Sequence, residues 1–268
     1  IRDMENPIFP AIIRGFQKKA FEKGYSVYIA DVEGCENVDL LVSTLISRRI
    51  DGVYISMFTD SDFVRVVKRF VDNGIKVVIG NEESSLDGVP SVTVDFVDGM
   101  RQIIAYLKDK GHKKIAYLSG IDTARKNDGR YAAFCDEYRR AFEAEPLVVE
   151  NGKPFATTVE SGKMLTEKLF GMTDDFTAIV TTNDLMAYGA IEALKQRGKR
   201  VPDDVSVVGV DDIMFSKYIN PPLTTLGYDN EKFGEKTFKV LLGEMTDKDV
   251  VSVKEYCHII ERESVKEI

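Results

Sequence analysis

The fold of this 268-residue chain is decided by the stretch Val201-Pro-Asp-Asp-Val-Ser-Val-Val-Gly-Val-Asp-Asp212. Residues 206–210 form a short apolar run, which is typical of a strand buried on both faces of a sheet. Pro202 precedes this run in a loop, and two acidic residues follow it. Sheets buried on both faces are parallel sheets with helices packed against them, so the stretch predicts an α/β protein.

Short apolar runs alternate with stretches of helical periodicity along most of the chain. In the first helical stretch, Phe9, Ile12, Phe16 and Ala20 fall on one face, and Gly24 marks the carboxyl end. This alternation predicts parallel sheets covered by helices. The predicted strands are residues 25–30, 52–56, 76–80, 92–95, 114–119, 147–150, 178–182 and 206–210. The predicted helices after the first are residues 38–49, 62–73, 97–110, 129–142, 158–170, 184–197 and 230–242.

Asn81, Asn183 and Asp211 each come directly after a predicted strand. Ligands of open parallel sheets bind beyond the carboxyl ends of the strands, so these residues are candidate ligand contacts. Asn and Asp are also preferred N-caps, and each residue taken alone is explained more simply as the cap of the next helix. Their occurrence at three equivalent places favours a shared binding site.

Composition and charge narrow the classes of function. The net charge of −8 would repel a phosphate backbone, so these residues alone are not expected to bind DNA. Three widely spaced cysteines fit a reduced cytoplasmic protein better than a disulfide framework, and two histidines are too few for a His-rich metal site. No apolar run approaches the roughly 18 residues of a membrane span, and the first residues lack the pattern of a signal peptide.

The motifs of common enzymes are missing from the sequence. It contains no Gly-x-Gly for a dinucleotide and no Gly-x-Ser-x-Gly elbow, and the segment Glu160-Ser-Gly-Lys163 has Thr157 where a phosphate loop needs its leading glycine. Adjacent carboxylates such as Asp211 and Asp212 point in different directions at a strand end and do not form an acid and base pair. We therefore predict no enzyme activity, no catalytic residues, no cofactor and no metal.

The stretch 201–212, followed by Asn220-Pro-Pro-Leu-Thr-Thr225, resembles the most characteristic segment of the lactose-repressor and galactose-repressor family of transcriptional regulators. Further similarities run through the whole chain. They are Glu5-Asn-Pro-Ile-Phe9, Arg48-Arg-Ile-Asp-Gly52, Gly111-His-Lys-Lys-Ile-Ala116, Thr177-Ala-Ile-Val-Thr-Thr-Asn-Asp184 with Met186-Ala-Tyr-Gly-Ala190, and Ile260-Glu-Arg-Glu-Ser264.

The resemblance implies a periplasmic-binding-protein-like core of two doubly wound parallel-sheet subdomains joined by three crossing segments. The crossings are expected near residues 95–98, 226–229 and 245–250. The N-terminal subdomain would comprise residues 1–96 and 229–246, and the C-terminal subdomain residues 97–228 and 247–268. A chain of this length, without an interior linker rich in Pro, Gly and Ser, also favours two tightly coupled units.

The resemblance also implies partners. Members of the family carry a helix-turn-helix module ahead of the core, which is not in this chain, so operator DNA is expected to bind only through that absent N-terminal domain. The first core strand of the family would lie just upstream of residue 2. A homodimer is expected because family operators are near-palindromic. The predicted role is the effector-binding and dimerisation core of a cytoplasmic regulator that senses a small molecule, a sugar or sugar phosphate, by closure of a cleft.

The effector contacts implied by the resemblance are spread along the chain. Arg130 matches the ligand-gripping arginine of the family, and its planar fork can hold two oxygens, although a surface arginine would look the same in sequence. Phe9 would face a sugar ring but fits an ordinary core position equally well. Arg125 and Lys126 would favour an anionic effector if they face the ligand. The complete predicted set is Phe9, Asn81, Arg130, Phe155, Asn183 and Asp211, with Arg125 and Lys126 as additional candidates.

Two other classes of function are alternatives to a regulator. An exported sugar-binding protein of a transporter is the main alternative, and a catalytic α/β protein is the other. The segments 201–212 and 221–225 resemble the version found in regulators, which favours the regulator. A signal peptide encoded upstream would favour the transporter protein, and turnover of a bound ligand would favour an enzyme.

Overall fold

The computed structural model describes residues 1, 3–32, 35–56, 63–80, 86, 88–122, 129–150, 152–153, 155–246 and 248–268. These residues form two compact units. The first unit comprises Ile1–Val94 and Asp229–Glu255, and the second comprises Asp95–Tyr228 and Tyr256–Ile268. The chain therefore passes between the units three times.

Helices and strands alternate along the described residues in the predicted manner, and the seven helices predicted with bounds lie within three residues of those bounds. The helices are α1 (Ile8–Glu22), α2 (Val38–Ser47), α3 (Phe63–Asp72), α4 (Phe96–Asp109), α5 (Gly129–Phe142), α6 (Val159–Met172), α7 (Asp184–Gln196) and α8 (Asn230–Met245). The strands are β1 (Gly52–Ile55), β2 (Lys76–Ile79), β3 (Val92–Val94), β4 (Ile115–Ser119), β5 (Leu147–Glu150), β6 (Ala178–Thr181), β7 (Ser206–Val210), β8 (Thr224–Gly227), β9 (Val253–Glu255) and β10 (His258–Ile260).

The first unit contains two short parallel pairs of strands. β1 pairs with β2, and β3 pairs with β9. Because β9 belongs to this pair, the chain stays in the first unit as far as Glu255, beyond the crossing expected at residues 245–250. Buried apolar residues form a core cluster in this unit. They come from α2, α3, β1 and β2 and include Val42, Val66 and Ile79.

Residues 25–30, predicted as a strand, form neither strand nor helix in the structure. A strand needs a hydrogen-bonded neighbour, and none of the described strands pairs with this segment. The segment and β1 both line an apolar groove of about 240 Å³. The strand assignment was therefore wrong for these described residues, whose side chains are half-buried or exposed.

The second unit is built on a six-stranded sheet with the order β10-β8-β7-β6-β4-β5. All neighbouring strands are parallel except β10, which is antiparallel to β8 at the edge. β4, β6 and β7 are buried along their whole length, as their continuous apolar sequences predicted. Because β4, β6 and β7 are parallel neighbours, their carboxyl ends lie together at one edge of the sheet.

Helices α6 and α7 approach each other closely on the second unit's sheet. A Cβ atom added at Gly162 would lie 2.0 Å from the Met186 carbonyl oxygen, and one added at Gly189 would lie 1.9 Å from the Val159 carbonyl oxygen. These backbones can approach only because both positions lack a side chain. The close packing fixes the amino-terminal end of α7, where Asn183 and Asp184 are located.

No helix within the described ranges is both long and apolar enough to cross a membrane.

Candidate functional site

Thr182 joins the carboxyl ends of β4 and β6 in the second unit. Its buried hydroxyl group accepts a hydrogen bond from the Gly120 amide at 3.0 Å and donates one to the Leu118 carbonyl oxygen at 3.2 Å. β4 and β6 are neighbours in the sheet, so these bonds tie together the two strand ends. Three of the predicted effector contacts lie around this residue.

Arg130 lies in the first turn of α5 and is half-buried. Its Nη1 atom donates to the Thr182 carbonyl oxygen at 3.2 Å. Its guanidinium carbon lies 4.9 Å from the ring centroid of Phe96, the first residue of α4. An aromatic face and a carbonyl oxygen together orient the planar guanidinium group. Arg130 is therefore fixed at the edge of the sheet where the parallel strands end.

Phe155 lies at the same strand ends. It forms an isolated antiparallel bridge with Ile121, and the next amide, that of Ala156, donates to the Gly120 carbonyl oxygen at 2.7 Å. The backbone around Phe155 is thereby attached to the residues that follow β4. The half-buried side chain of Phe155 belongs to the same part of the second unit as Arg130.

Asn183 is buried and caps α7. Its Oδ1 atom accepts from the Met186 amide at 3.0 Å, and its Nδ2 atom donates to the Thr157 carbonyl oxygen at 3.0 Å. These bonds match the capping interpretation that the sequence left open. The carbonyl oxygen of the amide group has a second lone pair, so a contact with an effector remains a prediction.

Asp211 and Asp212 form the turn after β7 with left-handed backbone angles, φ 111° and φ 48°. The Asp211 amide donates to the Leu226 carbonyl oxygen at 2.7 Å, and its side chain is buried. The Asp212 carboxylate accepts from Nη2 of Arg262 at 2.6 Å. Left-handed angles are uncommon for residues other than glycine, so this turn is held in place by its surroundings.

Asp184, the first residue of α7, is fully buried beside this turn. Its carboxylate accepts hydrogen bonds from the Ile213 amide and from the hydroxyl groups of Ser216 and Thr225. Burial raises the pKa of Asp184 to about 7, although the three hydrogen bonds act in the opposite direction. In the sequence, Asp184 was predicted only as the first residue of the helix that follows residues 178–182.

The remaining predicted residues are Phe9, Asn81, Arg125 and Lys126. Phe9 belongs to the first unit, is only 5% exposed on α1, and lines the apolar groove, which is consistent with a core position. Its role as an effector contact remains a prediction. Asn81, Arg125 and Lys126 lie outside the described residues.

The chemistry assembled at these strand ends is recognition through hydrogen bonds and charge. A fixed guanidinium group, an amide group and a carboxylate can together hold neighbouring hydroxyl groups or an anionic group. Within the described ranges, no three His, Cys, Asp or Glu residues are grouped so as to hold a metal ion. Phe96, Thr182 and Asp184 were missed by the sequence analysis, because their roles depend on contacts between distant segments.

Comparison with known proteins identifies the family. Residues 104–265 match the model of the periplasmic binding protein-like domain. The HTH-type transcriptional repressor PurR of Haemophilus influenzae is 30% identical over 280 residues, which cover 98% of this chain and 79% of the relative. The chain belongs to the lactose-repressor and galactose-repressor family. Its relatives in this family are transcriptional regulators and not enzymes.

Solved structures of the lactose-repressor family share the fold. A LacI family regulator from Enterococcus faecalis V583 with bound ribose has a TM-score of 0.87 at 21% identity, covering 99% of this chain and 97% of that chain. The lac repressor dimer bound to operator and the anti-inducer ONPF has a TM-score of 0.85 at 25% identity, covering 99% and 92%. The predicted periplasmic-binding-protein-like fold with parallel-sheet subdomains is confirmed, and the chain is an effector-binding core of this family.

Proposed function

We propose that the second unit binds a small hydroxyl-bearing effector, a sugar, at the carboxyl ends of β4, β6 and β7. Binding would regulate the repressor of which this core is part. The observation that carries the proposal is the fixed guanidinium group of Arg130, held by the Thr182 carbonyl oxygen and the Phe96 ring. Asn183 and Asp211 follow β6 and β7 at the same edge of the sheet.

A sugar fits the residue types at this edge. A carboxylate accepts hydrogen bonds from two neighbouring hydroxyl groups, and an arginine fork donates to two oxygens, so the pair complements the alternating donors and acceptors of a sugar. Bound ribose in the Enterococcus faecalis regulator and bound cellobiose in the regulator CelR are consistent with this class of ligand. The apolar groove of the first unit suits a sugar poorly, because buried hydroxyl groups would lack partners there.

A thermal-shift screen with sugars, sugar phosphates and nucleobases tests the proposed function. A ligand that binds only the folded protein adds about 2.7 kcal/mol of stability at a hundred times its Kd, which raises the melting temperature measurably. Stabilisation by a sugar or sugar phosphate supports the proposal. Stabilisation by nucleobases alone would show that the effector is a nucleobase and not a sugar. Chemical turnover of the ligand would favour the enzyme alternative.

The relatives favour a regulator over an exported sugar-binding protein, because they are HTH-type repressors. A repressor acts on the chromosome, so we place the full protein in the cytoplasm. We also propose a homodimer, in line with the dimeric lac repressor. Contact with operator DNA would then come through a separate helix-turn-helix module.

The 268-residue chain is expected not to bind duplex DNA at physiological salt. Its net charge of −8 disfavours contact with phosphates, which supply most of the affinity of DNA-binding proteins. A gel shift with a labelled duplex would check this, with a fusion to the helix-turn-helix module of a relative as the positive control. Sub-micromolar affinity of the chain alone would contradict the prediction.

The dimer surface is predicted to include Met214, Phe215 and Tyr218. These large side chains lie in one short segment after β7 and are 62%, 50% and 71% exposed, which is unusual for a surface that stays in water. Phe215→Glu is expected to raise the dimer dissociation constant by about 30-fold or more, measured by analytical ultracentrifugation. Phe21→Glu, at an exposed phenylalanine of α1 in the first unit, is the control. Dissociation by the control alone would place the dimer surface elsewhere.

A further inference from the structure

We propose that Asp184 is a positioning residue of the effector site, whose buried carboxylate holds the turn of residues 211–216 and thereby orients Asp211. The inference rests on the proposed function, because it requires Asp211 to contact the effector. Asp184 itself would not touch the ligand. It acts through the turn, which is bonded to its carboxylate group.

One oxygen of Asp184 is bonded to the turn. Oδ2 accepts from the Ile213 amide at 2.9 Å and from Ser216 Oγ at 2.5 Å. The other oxygen, Oδ1, accepts from Thr225 Oγ1 at 2.5 Å on β8. Since the side chain is completely buried, these donors replace the water that a carboxylate would otherwise bind. Loss of either turn contact would leave the buried Oδ2 atom with one hydrogen-bond donor instead of two.

The position of these bonds within the turn explains why they would orient Asp211. The Asp211 amide is held by the Leu226 carbonyl oxygen, and Ile213, two residues later, is held by Asp184. Asp211 is thus fixed on both sides while it occupies a backbone conformation that is uncommon for its residue type. Loss of the bond between the Ile213 amide and Asp184 would let the turn relax and would move the Asp211 carboxylate.

The surroundings of Asp184 support a specialised role. The Tyr188 hydroxyl group lies 2.8 Å from Ser216 Oγ, which extends the network. A Cβ atom added at Gly209 would lie 2.2 Å from Asp184 Oδ1, so the strand leaves room for the carboxylate. The charged groups nearby are Asp212 and Arg262, which pair with each other. Asp184 directly follows Asn183, the N-cap of α7. Its bonds to Ile213 and Ser216 therefore connect the start of α7 with the turn.

Ser216→Ala and Asp184→Asn test the inference, with Ser264→Ala as a matched control. Ser264, like Ser216, is a completely buried serine with two hydrogen bonds, from its hydroxyl group to the Val207 carbonyl oxygen and from the Thr224 amide. It lies in the second unit, and neither of these two hydrogen bonds involves Asp184. Amide hydrogen exchange of residues 211–216 is measured without ligand, and calorimetry measures affinity for D-ribose as the probe.

Both test variants are expected to accelerate exchange in the turn about tenfold or more, and to weaken ribose binding by a similar factor. Ser264→Ala should lower the melting temperature without either change. Equal exchange in Ser216→Ala and Ser264→Ala would overturn the inference, whether or not ribose binds. If Asp211→Ala or Arg130→Ala weakens binding and Ser216→Ala does not, this inference fails alone. If neither Asp211→Ala nor Arg130→Ala has an effect, the proposed effector site itself fails.

Discussion

Replacing Arg130 or Asp211 with alanine is expected to weaken effector binding by about ten- to more than a hundredfold. Arg130 is half-buried and oriented by Thr182 and Phe96. Asp211 is buried at the end of β7, which neighbours β6 in the same sheet. A hydrogen bond to a charged group kept from water contributes about 1.5–3 kcal/mol, which corresponds to this loss of affinity. Calorimetry with the effector found in the thermal-shift screen measures the change.

Matched variants separate loss of a ligand contact from loss of stability. Arg139→Ala removes an arginine from the same helix, but one whose side chain is 48% exposed and paired with Glu145, so affinity should be unchanged. Asp211→Gly accompanies Asp211→Ala, since an alanine at φ 111° retains the backbone strain of a residue with a Cβ atom, which glycine avoids. Unchanged affinity in Arg130→Ala and in both Asp211 variants would contradict the effector site.

Lys126→Ala distinguishes a neutral from an anionic effector. Lys126 lies outside the described residues, in the segment that precedes Arg130. A lysine that faces the ligand would favour a phosphorylated sugar. Loss of binding to sugar phosphates alone in this variant would identify an anionic effector, whereas equal binding of both classes of ligand would favour a neutral sugar.

Sequence patterns predicted the long, buried parts of the fold well. β4, β6 and β7 are continuous apolar runs because helices cover both faces of their sheet, and such runs are visible in one sequence. β8, β9 and β10 were not predicted. They have only three or four residues each, and β9 and β10 owe their pairing to distant partners, β3 and β8. Pairing at long range has no local signal.

The position of the candidate site in the sheet was also predictable in outline. Ligands of open parallel sheets bind beyond the carboxyl ends of the strands, and the polar residues Asn183 and Asp211 follow two such strands. Asp184 shows the limit of that reasoning. Its importance depends on donors at residues 213, 216 and 225, which reach it only in the folded protein. A neighbouring acidic residue of this kind looks like an ordinary first-turn carboxylate in sequence.

The stability of the protein is expected to fall with rising pH because of Asp184. Burial raises the pKa of this carboxyl group in the folded protein from 3.8 to about 7. The folded state therefore binds more protons than the unfolded state between these values, so its stabilising contribution is complete below pH 3.8 and is lost as the pH rises through 7. A shift of this size corresponds to about 4 kcal/mol of unfolding free energy.

Asp184→Asn isolates this effect, because asparagine has nearly the same shape and does not titrate. Denaturant unfolding from pH 4 to pH 8 should show the parent protein losing up to about 4 kcal/mol relative to the variant. His112 acts in the opposite direction, since burial lowers its pKa and its contribution is lost as the pH falls. It is present in both proteins, so it cancels in the difference. Parallel pH profiles for the two proteins would show that Asp184 is ionised in the folded state throughout this range, and that its three donors outweigh the cost of burial.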